Sequence, residues 1–275
     1  MRKVQSSPLI FTGSNHPVWL GDTYKGQSAF LILNGPSLLN FDLSYLDNPG
    51  FVTMGVNNGP KTYRPNLWVS VDDPRKFLKS IWLDPKIMKF VPNTSLNKKL
   101  YDSEEMKEID VYVRDCPNVY FFNRNNAFKA ESFLTEPTVN WGNTKDGGGG
   151  RSVMLVALRI LHYLGIRTVF LLGCDFKMEE GKKNYHFAQD RNKGAVNGNN
   201  YSYKKNIERF ELLKPIFEQE GYLIFNCNPE SELTVFPAVD YGDAIKTATH
   251  YMPKYLEFER TFGLYEITEN KKEKK

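Results

Sequence analysis

One segment in the second half of the chain constrains the fold more than any other. Four consecutive glycines at 147–150 come shortly before residues 153–164, which are apolar on nearly every side. A helix of that kind is stable only when it is buried all round. Gly165 follows it, and a second apolar run at 168–172 stops at Gly173. The pattern predicts a glycine loop, a buried helix, a glycine stop and a core strand, which together form a unit of an α/β protein.

Three short apolar runs in the first half each end in turn-forming residues. They are residues 28–33 before Asn34-Gly35-Pro36-Ser37, residues 51–56 before Asn57-Asn58, and residues 67–71 before Asp72-Asp73. Such runs predict buried strands. Further strands are predicted at 87–91, 119–122 and 222–225, and helices from about Tyr203 to Glu220 and from Val239 onward. The expected fold class is α/β, with a Rossmann-like, mostly parallel sheet, helices on both faces, and ligands beyond the carboxyl ends of the strands.

The chain has 275 residues, which suits either one large α/β domain or two smaller ones. Because no repeat or linker is evident, we expect a single domain at 28–265. An N-terminal arm at 1–27 would precede it, and a charged, disordered tail at 266–275 would follow. Residues 177–202 are polar, aromatic and rich in glycine and asparagine. A stretch of this kind predicts a lid-like insertion.

Composition excludes several other classes of protein. Hydrophobic residues make up 41% of the chain and charged residues 25%, as in soluble globular proteins. No apolar stretch reaches the 18 or so residues of a membrane span, and the apolar part of the N-terminus is too short for a signal peptide. We therefore expect a cytoplasmic protein without a transmembrane segment. The cysteines have no CxxC spacing and are expected to be buried thiols: Cys116, Cys174 and Cys227.

Two glycine-bearing loops are candidate sites for a phosphate group. In the first, Gly35 would let the backbone approach a ligand and Ser37 would cap the next helix. The alternative is that residues 34–37 form only a turn. In the second, the glycines would form a nest of backbone N–H groups, with Arg151 as a counter-charge and Ser152 as a donor. The alternative there is a flexible linker into the helix.

Three blocks of the chain, in this order and spacing, resemble a known group of enzymes. Residues 31–58 contain Asn-Gly-Pro-Ser-Leu and Gly-Val-Asn-Asn, residues 150–176 contain the apolar helix and a strand ending in Gly-x-Asp-Phe, and residues 226–233 contain Pro-x-Ser-x-Leu. The chain thereby resembles bacterial sialyltransferases of the Campylobacter type. It also resembles the related domain of motility-accessory flagellin glycosyltransferases and of archaeal hydroxymethylpterin diphosphokinases. The blocks span about residues 28–237.

The resemblance implies a sheet of the GT-A-variant type that binds a nucleotide-sugar donor, often a CMP-sugar. In the sialyltransferases the first-turn Asn, the Asn after the second strand and the small-residue loop contact the nucleotide. The expected nucleotide-binding set adds the neighbouring residues of both loops and the end of the later strand. Its members are Asn34, Gly35, Pro36, Ser37, Asn57, Asn58, Gly149, Gly150, Arg151, Ser152 and Asp175. The family's Thr-Ser-Gly-like loop is replaced here by Gly-Gly-Gly-Gly-Arg-Ser. That replacement leaves the base and sugar of the donor open.

The chain lacks the family's catalytic base at its usual place. Those sialyltransferases carry a His just before the late helix, where this chain has Tyr201-Ser202-Tyr203. His186 is the only histidine in the expected lid, and imidazole accepts a proton from a hydroxyl near neutral pH. We therefore expect His186 to be the base, with Tyr185, Tyr201 or Tyr203 holding the leaving phosphate. The alternative is that His186 is a solvated loop residue.

Adjacent carboxylates raise the question of a metal ion. Asp72 and Asp73 would be able to hold Mg²⁺ near a diphosphate, or they would cap a helix that begins at Pro74. The sialyltransferases need no metal, whereas the pterin diphosphokinases use ATP and magnesium. We expect that no cofactor is required, with magnesium as the alternative.

The leading functional hypothesis is an inverting glycosyltransferase that moves a sugar from a nucleotide donor to a hydroxyl acceptor. The alternatives are an ATP-dependent hydroxymethylpterin-type diphosphokinase and a non-catalytic, phage-type nucleotide-binding accessory protein. The acceptor would be a glycan, a protein or a modified DNA base. Only the net charge of +4 and the basic segments Lys182-Lys183 and Arg191-Asn192-Lys193 favour DNA. The sequence leaves the sugar, the acceptor and the oligomeric state open.

Overall fold

The computed structural model describes residues 8–48, 50–125, 127–142, 150–187, 189 and 191–250. The strands in these ranges are β1 (Ile10–Phe11), β2 (Pro17–Val18), β3 (Ser28–Ile32), β4 (Val52–Val56), β5 (Leu67–Val69), β6 (Met88–Pro92), β7 (Lys99–Asp102), β8 (Lys107–Tyr112), β9 (Val119–Phe122), β10 (Thr168–Leu172) and β11 (Leu223–Asn226). The α-helices are α1 (Lys79–Leu83), α2 (Val153–Tyr163), α3 (Lys193–Gln219) and α4 (Tyr241–His250). Short 3₁₀ helices follow several strands, as at Pro36–Asn40 and Pro74–Lys76.

The described strands form one large sheet and one small one. The large sheet has nine strands in the order β11-β10-β3-β4-β5-β6-β9-β1-β2. The strands from β11 to β9 run parallel, and β1 and β2 add an antiparallel edge. Strands β7 and β8 pair antiparallel by themselves. This mostly parallel sheet with its helices confirms the expected α/β fold class.

The order of the strands reverses next to β3. From β3 the chain builds outward through β4, β5, β6 and β9, and then returns through α2 to place β10 on the other side of β3. Two neighbouring parallel strands whose connections leave in opposite directions open a crevice at their carboxyl ends. Ligands of open α/β sheets bind in that crevice.

Alternating side chains of the strands cover the two faces of the sheet. Leu31 belongs to the core on one face, together with Leu155 of α2 and Phe210 of α3. Phe30, its neighbour in β3, belongs to the core on the other face, together with Ala244 of α4. Successive residues of a strand point to opposite faces, so a strand of five buried residues supplies both cores. Helices on both faces are therefore confirmed.

Helix α2 begins and ends where the sequence predicts. The side chain of Ser152 accepts a hydrogen bond from the backbone N–H of Met154 at 3.2 Å and so caps the first turn. Gly165, just past the other end, has a φ of +98°. A Cβ there would also lie 2.9 Å from the backbone of Asp22 and Lys25. Glycine is required at this stop, because a side chain would be both strained and too close.

Helix α3 begins earlier than the sequence predicts. The prediction placed its start near Tyr203, whereas the helix starts at Lys193 and is capped by the side chain of Asn192. The additional turns are rich in glycine and asparagine, which are weak helix formers, so propensity does not reveal them. They are held by tertiary contacts instead. The side chain of Asn200 accepts from the N–H of Met178 and donates to its carbonyl, both at 2.9 Å.

The segment before β3 joins the large sheet. Residues 8–27, expected to form an arm, include β1, which pairs with β9, and Leu9 and Ile10 are fully buried. The expected tail at 266–275 lies outside the described residues. Among the helices that the structure describes, none is both long and apolar enough to cross a membrane. The three thiols are buried and free, as expected.

Candidate functional site

A cavity of about 500 Å³ lies at the carboxyl edge of the large sheet. Its walls come from the segments that follow β3, β4, β5 and β10, from the start of α2, and from the loop and first turns of α3. The cavity therefore sits at the reversal of strand order between β3 and β10. Its volume falls in the range of small-molecule sites.

The turn after β3 is clamped to the end of β10 by one carboxylate. Asp175 Oδ2 accepts a hydrogen bond from the N–H of Ser37 at 3.0 Å, and Oδ1 accepts one from Asn228 Nδ2 at 2.7 Å. The N–H of Gly35 donates to the carbonyl of Gly173 at 2.8 Å. A Cβ on Gly35 would lie 2.6 Å from that carbonyl oxygen. The turn thus packs so closely that only glycine fits, and Asp175 holds it in place.

Two expected nucleotide-binding residues, Pro36 and Ser37, do not line the cavity. The prediction that Ser37 caps the following helix is wrong. Gly35 occupies the cap position of the 3₁₀ helix, Pro36 begins it, and Ser37 lies inside it. Proline at the first position has no N–H to satisfy, which explains the early start of the helix. Ser37 serves the turn through its backbone N–H.

Of the asparagines predicted to bind a nucleotide, Asn34 and Asn57 line the cavity and Asn58 does not. The side chain of Asn58 donates to the carbonyl of Lys76 at 2.9 Å and accepts from the N–H of Leu78 at 3.1 Å. It therefore fixes the loop after β5. Asn34 Oδ1 is buried and has no hydrogen-bond partner among the described residues. Asn34 and Asn57 are thus the predicted asparagines that line the cavity, and their binding of a nucleotide stays a prediction.

The start of α2 supplies the glycine-rich wall. Gly150, Arg151 and Ser152 line the cavity, whereas Gly149 lies outside the described residues. The carbonyl of Gly150 accepts a hydrogen bond from the guanidinium of Arg209. Ser152 Oγ accepts the capping hydrogen bond at the start of α2, which leaves its O–H free to donate, and its predicted role as a ligand donor stays a prediction. Burial lowers the pKa of Arg124, and the nearby charge of Arg151 lowers it further.

Three cations line the cavity: Arg151, Lys177 and Arg191. Arg191 donates to the hydroxyl of Tyr185 at 3.1 Å and lies over its ring, 5.3 Å from the centroid. Within the described ranges, neither Arg151 nor Lys177 has a carboxylate within ion-pair distance. Cations that converge on a cavity without such partners favour an anionic ligand. Lys177 belongs to no motif that marks a site in the sequence, and Arg191 is marked there only by its basic segment.

Aromatic rings form another part of the cavity wall. Phe176 stacks on Tyr203 with ring centroids 4.8 Å apart, and its φ is +57°. That backbone conformation is costly for a bulky residue and is found most often at functional sites. Burial raises the pKa of Tyr203 well above its ordinary value. Its hydroxyl therefore stays protonated at neutral pH and can donate. Tyr185 and Tyr201 also line the cavity, so the fold brings all three predicted tyrosines together.

His186 is not brought to the cavity. Its side chain is only 4% exposed, which excludes the solvated-loop alternative. Its Nδ1 lies 2.8 Å from Thr62 Oγ1, and its backbone N–H donates to the carbonyl of Asn34 at 3.1 Å. Burial, with the charge of Lys183 as a smaller cause, lowers the pKa of His186 to about 4. The geometry thus gives the histidine a structural task beside the turn, and its predicted role as a base stays a prediction.

The adjacent carboxylates after β5 point to different places. Asp72 lines the cavity, where Lys76 lies 3.4 Å away. Asp73 caps the 3₁₀ helix by accepting from the N–H of Arg75, and it pairs with Arg75 and Lys98 at 3.0 Å each. The Arg75 guanidinium holds the pKa of Asp73 well below its usual range. The helix-cap alternative is therefore confirmed for Asp73. In the described part of the chain, no three histidine, cysteine, aspartate or glutamate side chains converge as metal ligands.

Comparison with known proteins finds similar folds but no similar sequence. No family model matches the chain, and no curated protein matches it. A MAf glycosyltransferase from Magnetospirillum magneticum AMB-1 has 14% identity and a TM-score of 0.44 over 82% of this chain, which spans 37% of that protein. The sialyltransferase CstII from Campylobacter jejuni, solved with the substrate analogue cytidine-5′-monophosphate, has 14% identity and a TM-score of 0.42 over 78% of this chain and 85% of its own. A second structure of the same sialyltransferase, with a trisaccharide acceptor and CMP, has 15% identity and a TM-score of 0.42 over 78% of this chain and 86% of its own. At these identities and TM-scores the likenesses assign no activity to the chain.

Proposed function

We propose that the protein is a glycosyltransferase that moves a sugar from a nucleotide-sugar donor, with a CMP-sugar favoured, to a hydroxyl acceptor. The observation that carries the proposal is the cavity at the strand-order reversal, which is lined by strand-end amides and by cations with no carboxylate within ion-pair distance in the described part of the chain. That combination suits a ligand with a polar, planar part and a phosphate part. Nucleotides have both.

The proposed donor lies across the ends of β3, β4 and β10. Its phosphate faces the first turn of α2, where unpaired backbone N–H groups and the helix dipole favour negative charge. Arg151 and Lys177 supply counter-charge at the same place. The amides of Asn34 and Asn57 then face the nucleoside, which is the role that the family resemblance implies for them.

The proposed reaction is a direct displacement at the anomeric carbon, which inverts its configuration. The tyrosines of the cavity wall donate hydrogen bonds to the phosphate as it leaves. Tyr203 suits this task best, because burial keeps its hydroxyl protonated. The acceptor is proposed to be a hydroxyl of a glycan or a protein. A modified DNA base stays a prediction, which retention of the protein on DNA at physiological salt would test.

The first test is a thermal-shift panel with CMP, UDP, GDP and ATP, each with and without Mg²⁺. A ligand at about 100 times its Kd stabilises the fold by roughly 2.7 kcal/mol, which is easily measured. We expect stabilisation by CMP, or by UDP or GDP, without metal. A shift with ATP and Mg²⁺ alone would instead favour the diphosphokinase alternative, and no shift with any nucleotide would refute the site.

A pair of arginine variants makes the same panel specific to the cavity. Arg151→Ala removes an exposed cation from the cavity wall, so we expect nucleotide affinity to fall roughly 10-fold, as for loss of a charge-assisted hydrogen bond. Arg75→Ala is the matched control, because Arg75 is also exposed but is paired with Asp73. Equal affinity in both variants would contradict the proposed phosphate position.

A further inference from the structure

Displacement by a hydroxyl needs a group that takes up the hydroxyl proton, and the described cavity wall offers two carboxylates. Asp175 has both oxygens occupied, by the N–H of Ser37 at 3.0 Å and by Asn228 Nδ2 at 2.7 Å. It is also only 6% exposed. Two of its roughly four lone-pair sites are thus in use, and its burial restricts the access of a second substrate to the others. Asp175 is therefore committed to holding the turn after β3.

Asp72 differs from Asp175 in each of these respects. It follows β5, lines the cavity, and its side chain is 41% exposed. Its hydrogen-bond partner among the described residues is Lys76, whose ammonium lies 3.4 Å from Oδ2 and whose side chain is itself 64% exposed. A contact of that length between exposed groups is weak and easily exchanged. Both oxygens of Asp72 are thus accessible to a hydroxyl that enters the cavity.

The remaining groups of the right chemistry are unsuited to the task. Tyr203 is buried against Phe176 and holds its proton, so it donates rather than accepts. Tyr185 accepts a hydrogen bond from Arg191. His186 does not line the cavity, and its ring nitrogen Nδ1 is engaged with Thr62. Of the two described carboxylates that line the cavity, Asp72 is the one that does not hold a turn in place.

We propose that Asp72 is the general base of the transfer, an inference that rests on the proposed function. As the acceptor oxygen forms its bond to the anomeric carbon, its proton passes to the Asp72 carboxylate. The bond between the anomeric carbon and the donor phosphate oxygen breaks, and its electron pair leaves with the nucleotide. Arg151 and Lys177 face the negative charge that develops on the phosphate. No metal or other co-reactant is needed to balance the step.

The test compares Asp72→Asn with its neighbour Asp73→Asn, because the two side chains differ in direction and not in chemistry. Nucleotide release from CMP-N-acetylneuraminate, UDP-glucose and GDP-mannose is measured with water as the acceptor, and nucleotide Kd is measured by calorimetry. General bases contribute factors of about 10²–10⁴. We expect Asp72→Asn to lower kcat by roughly 100-fold or more with Kd unchanged. Asp73→Asn should retain kcat, because asparagine is also a good helix cap.

Several results would overturn the proposal. The first is a kcat for Asp72→Asn within about threefold of wild type, because general-base catalysis contributes a much larger factor. The second is a loss of nucleotide affinity in Asp72→Asn as large as its loss of kcat, which would make Asp72 a binding residue. A third is loss of kcat in His186→Gln at unchanged Tm, which would assign the base to His186. If wild type binds no nucleotide and releases none from any donor, the proposed function itself fails. Nucleotide binding by wild type separates that failure from a wrong assignment of the base.

Discussion

Substitution of Gly35 by alanine tests whether the turn after β3 is as tightly held as its contacts indicate. Gly35 has φ −69° and ψ 153°, a conformation that alanine adopts without strain. The added methyl group would lie 2.6 Å from the carbonyl oxygen of Gly173 and also against the carboxylate of Asp175. The Gly173 oxygen belongs to the backbone directly after β10 of the large sheet. Backbone in that position cannot move aside as the end of a long side chain does. The turn itself must therefore shift.

The expected cost follows from three contributions. Overpacking costs about 1–3 kcal/mol, and lengthening of the Gly35 N–H to Gly173 hydrogen bond, now 2.8 Å, costs roughly 1 kcal/mol. Reduced entropy of the unfolded chain offsets about 0.4–1 kcal/mol. The net loss is about 1–4 kcal/mol, or a fall in Tm of roughly 2–14 °C for a domain of this size. Because Asn34 moves with the turn, nucleotide affinity should fall by at least roughly 10-fold, equivalent to ~1.4 kcal/mol.

The assay is thermal and urea unfolding of Gly35→Ala beside Gly198→Ala, together with nucleotide titration of both. Gly198 lies inside α3, and a Cβ there meets no atom within 4 Å. The same substitution should therefore stabilise the protein by about 0.5–1 kcal/mol at that position. The two variants are expected to shift Tm in opposite directions. A Gly35→Ala protein that melts within about 1 °C of wild type and binds nucleotide equally well would refute the close packing of the turn.

Two further predictions concern buried ionisable groups. Because burial lowers the pKa of His186 from 6.5 to about 4, the unfolded chain binds more protons than the folded one between these values, so stability falls as pH drops through this window. His186→Gln should abolish about 2–3 kcal/mol of the difference in unfolding free energy between pH 7 and 4.5, and an unchanged pH dependence in urea titrations would contradict burial of the ring. The Lys89 ammonium donates to the carbonyls of Asp84, Ile87 and Pro117 at 2.6, 2.9 and 2.8 Å. Lys89→Met should cost about 2–4 kcal/mol by leaving them unpaired, whereas Lys86→Met, at an exposed position, should stay within roughly 0.5 kcal/mol of wild type.

The parallel strands were predictable because a sheet covered on both faces needs strands that are apolar on both faces and that end at turn-forming residues. Residues of β3, β4 and β10 are apolar on both faces, and each run stops at a residue that cannot continue a strand. Helix α2 was predictable for the same reason, since its apolar surface extends all round. The start of α3 was not predictable. Its first turns are stabilised by side-chain contacts with Met178, distant in sequence, rather than by local propensity.

The place of the candidate site was also predictable, because turn residues at the carboxyl ends of parallel strands meet at one edge. The sequence pattern could identify Asn34, Gly35, Asn57 and Arg151 from their positions beyond predicted strands or before α2. It could not show that Asn58 faces the loop after β5 instead of the cavity. Neighbouring residues at a strand end point in different directions, and the backbone turns at Asn57, where φ is +51°, so that Asn57 lines the cavity and Asn58 does not.

Polar side chains at such an edge have two competing uses, since they can bind a ligand or satisfy the backbone of the turns. Turns that follow parallel strands leave backbone N–H and C=O groups unpaired, and nearby side chains must satisfy them. Asp175, expected to face a ligand, satisfies the N–H of Ser37. Asp72, expected to serve a metal or a cap, retains accessible oxygens in the cavity. Sequence gives residue type and position but not which groups are already paired, and only unpaired groups remain for a substrate. The side chains of this edge that remain for a substrate are therefore those that the turns do not use. By that criterion Asp72 is favoured over Asp175 as the proposed base.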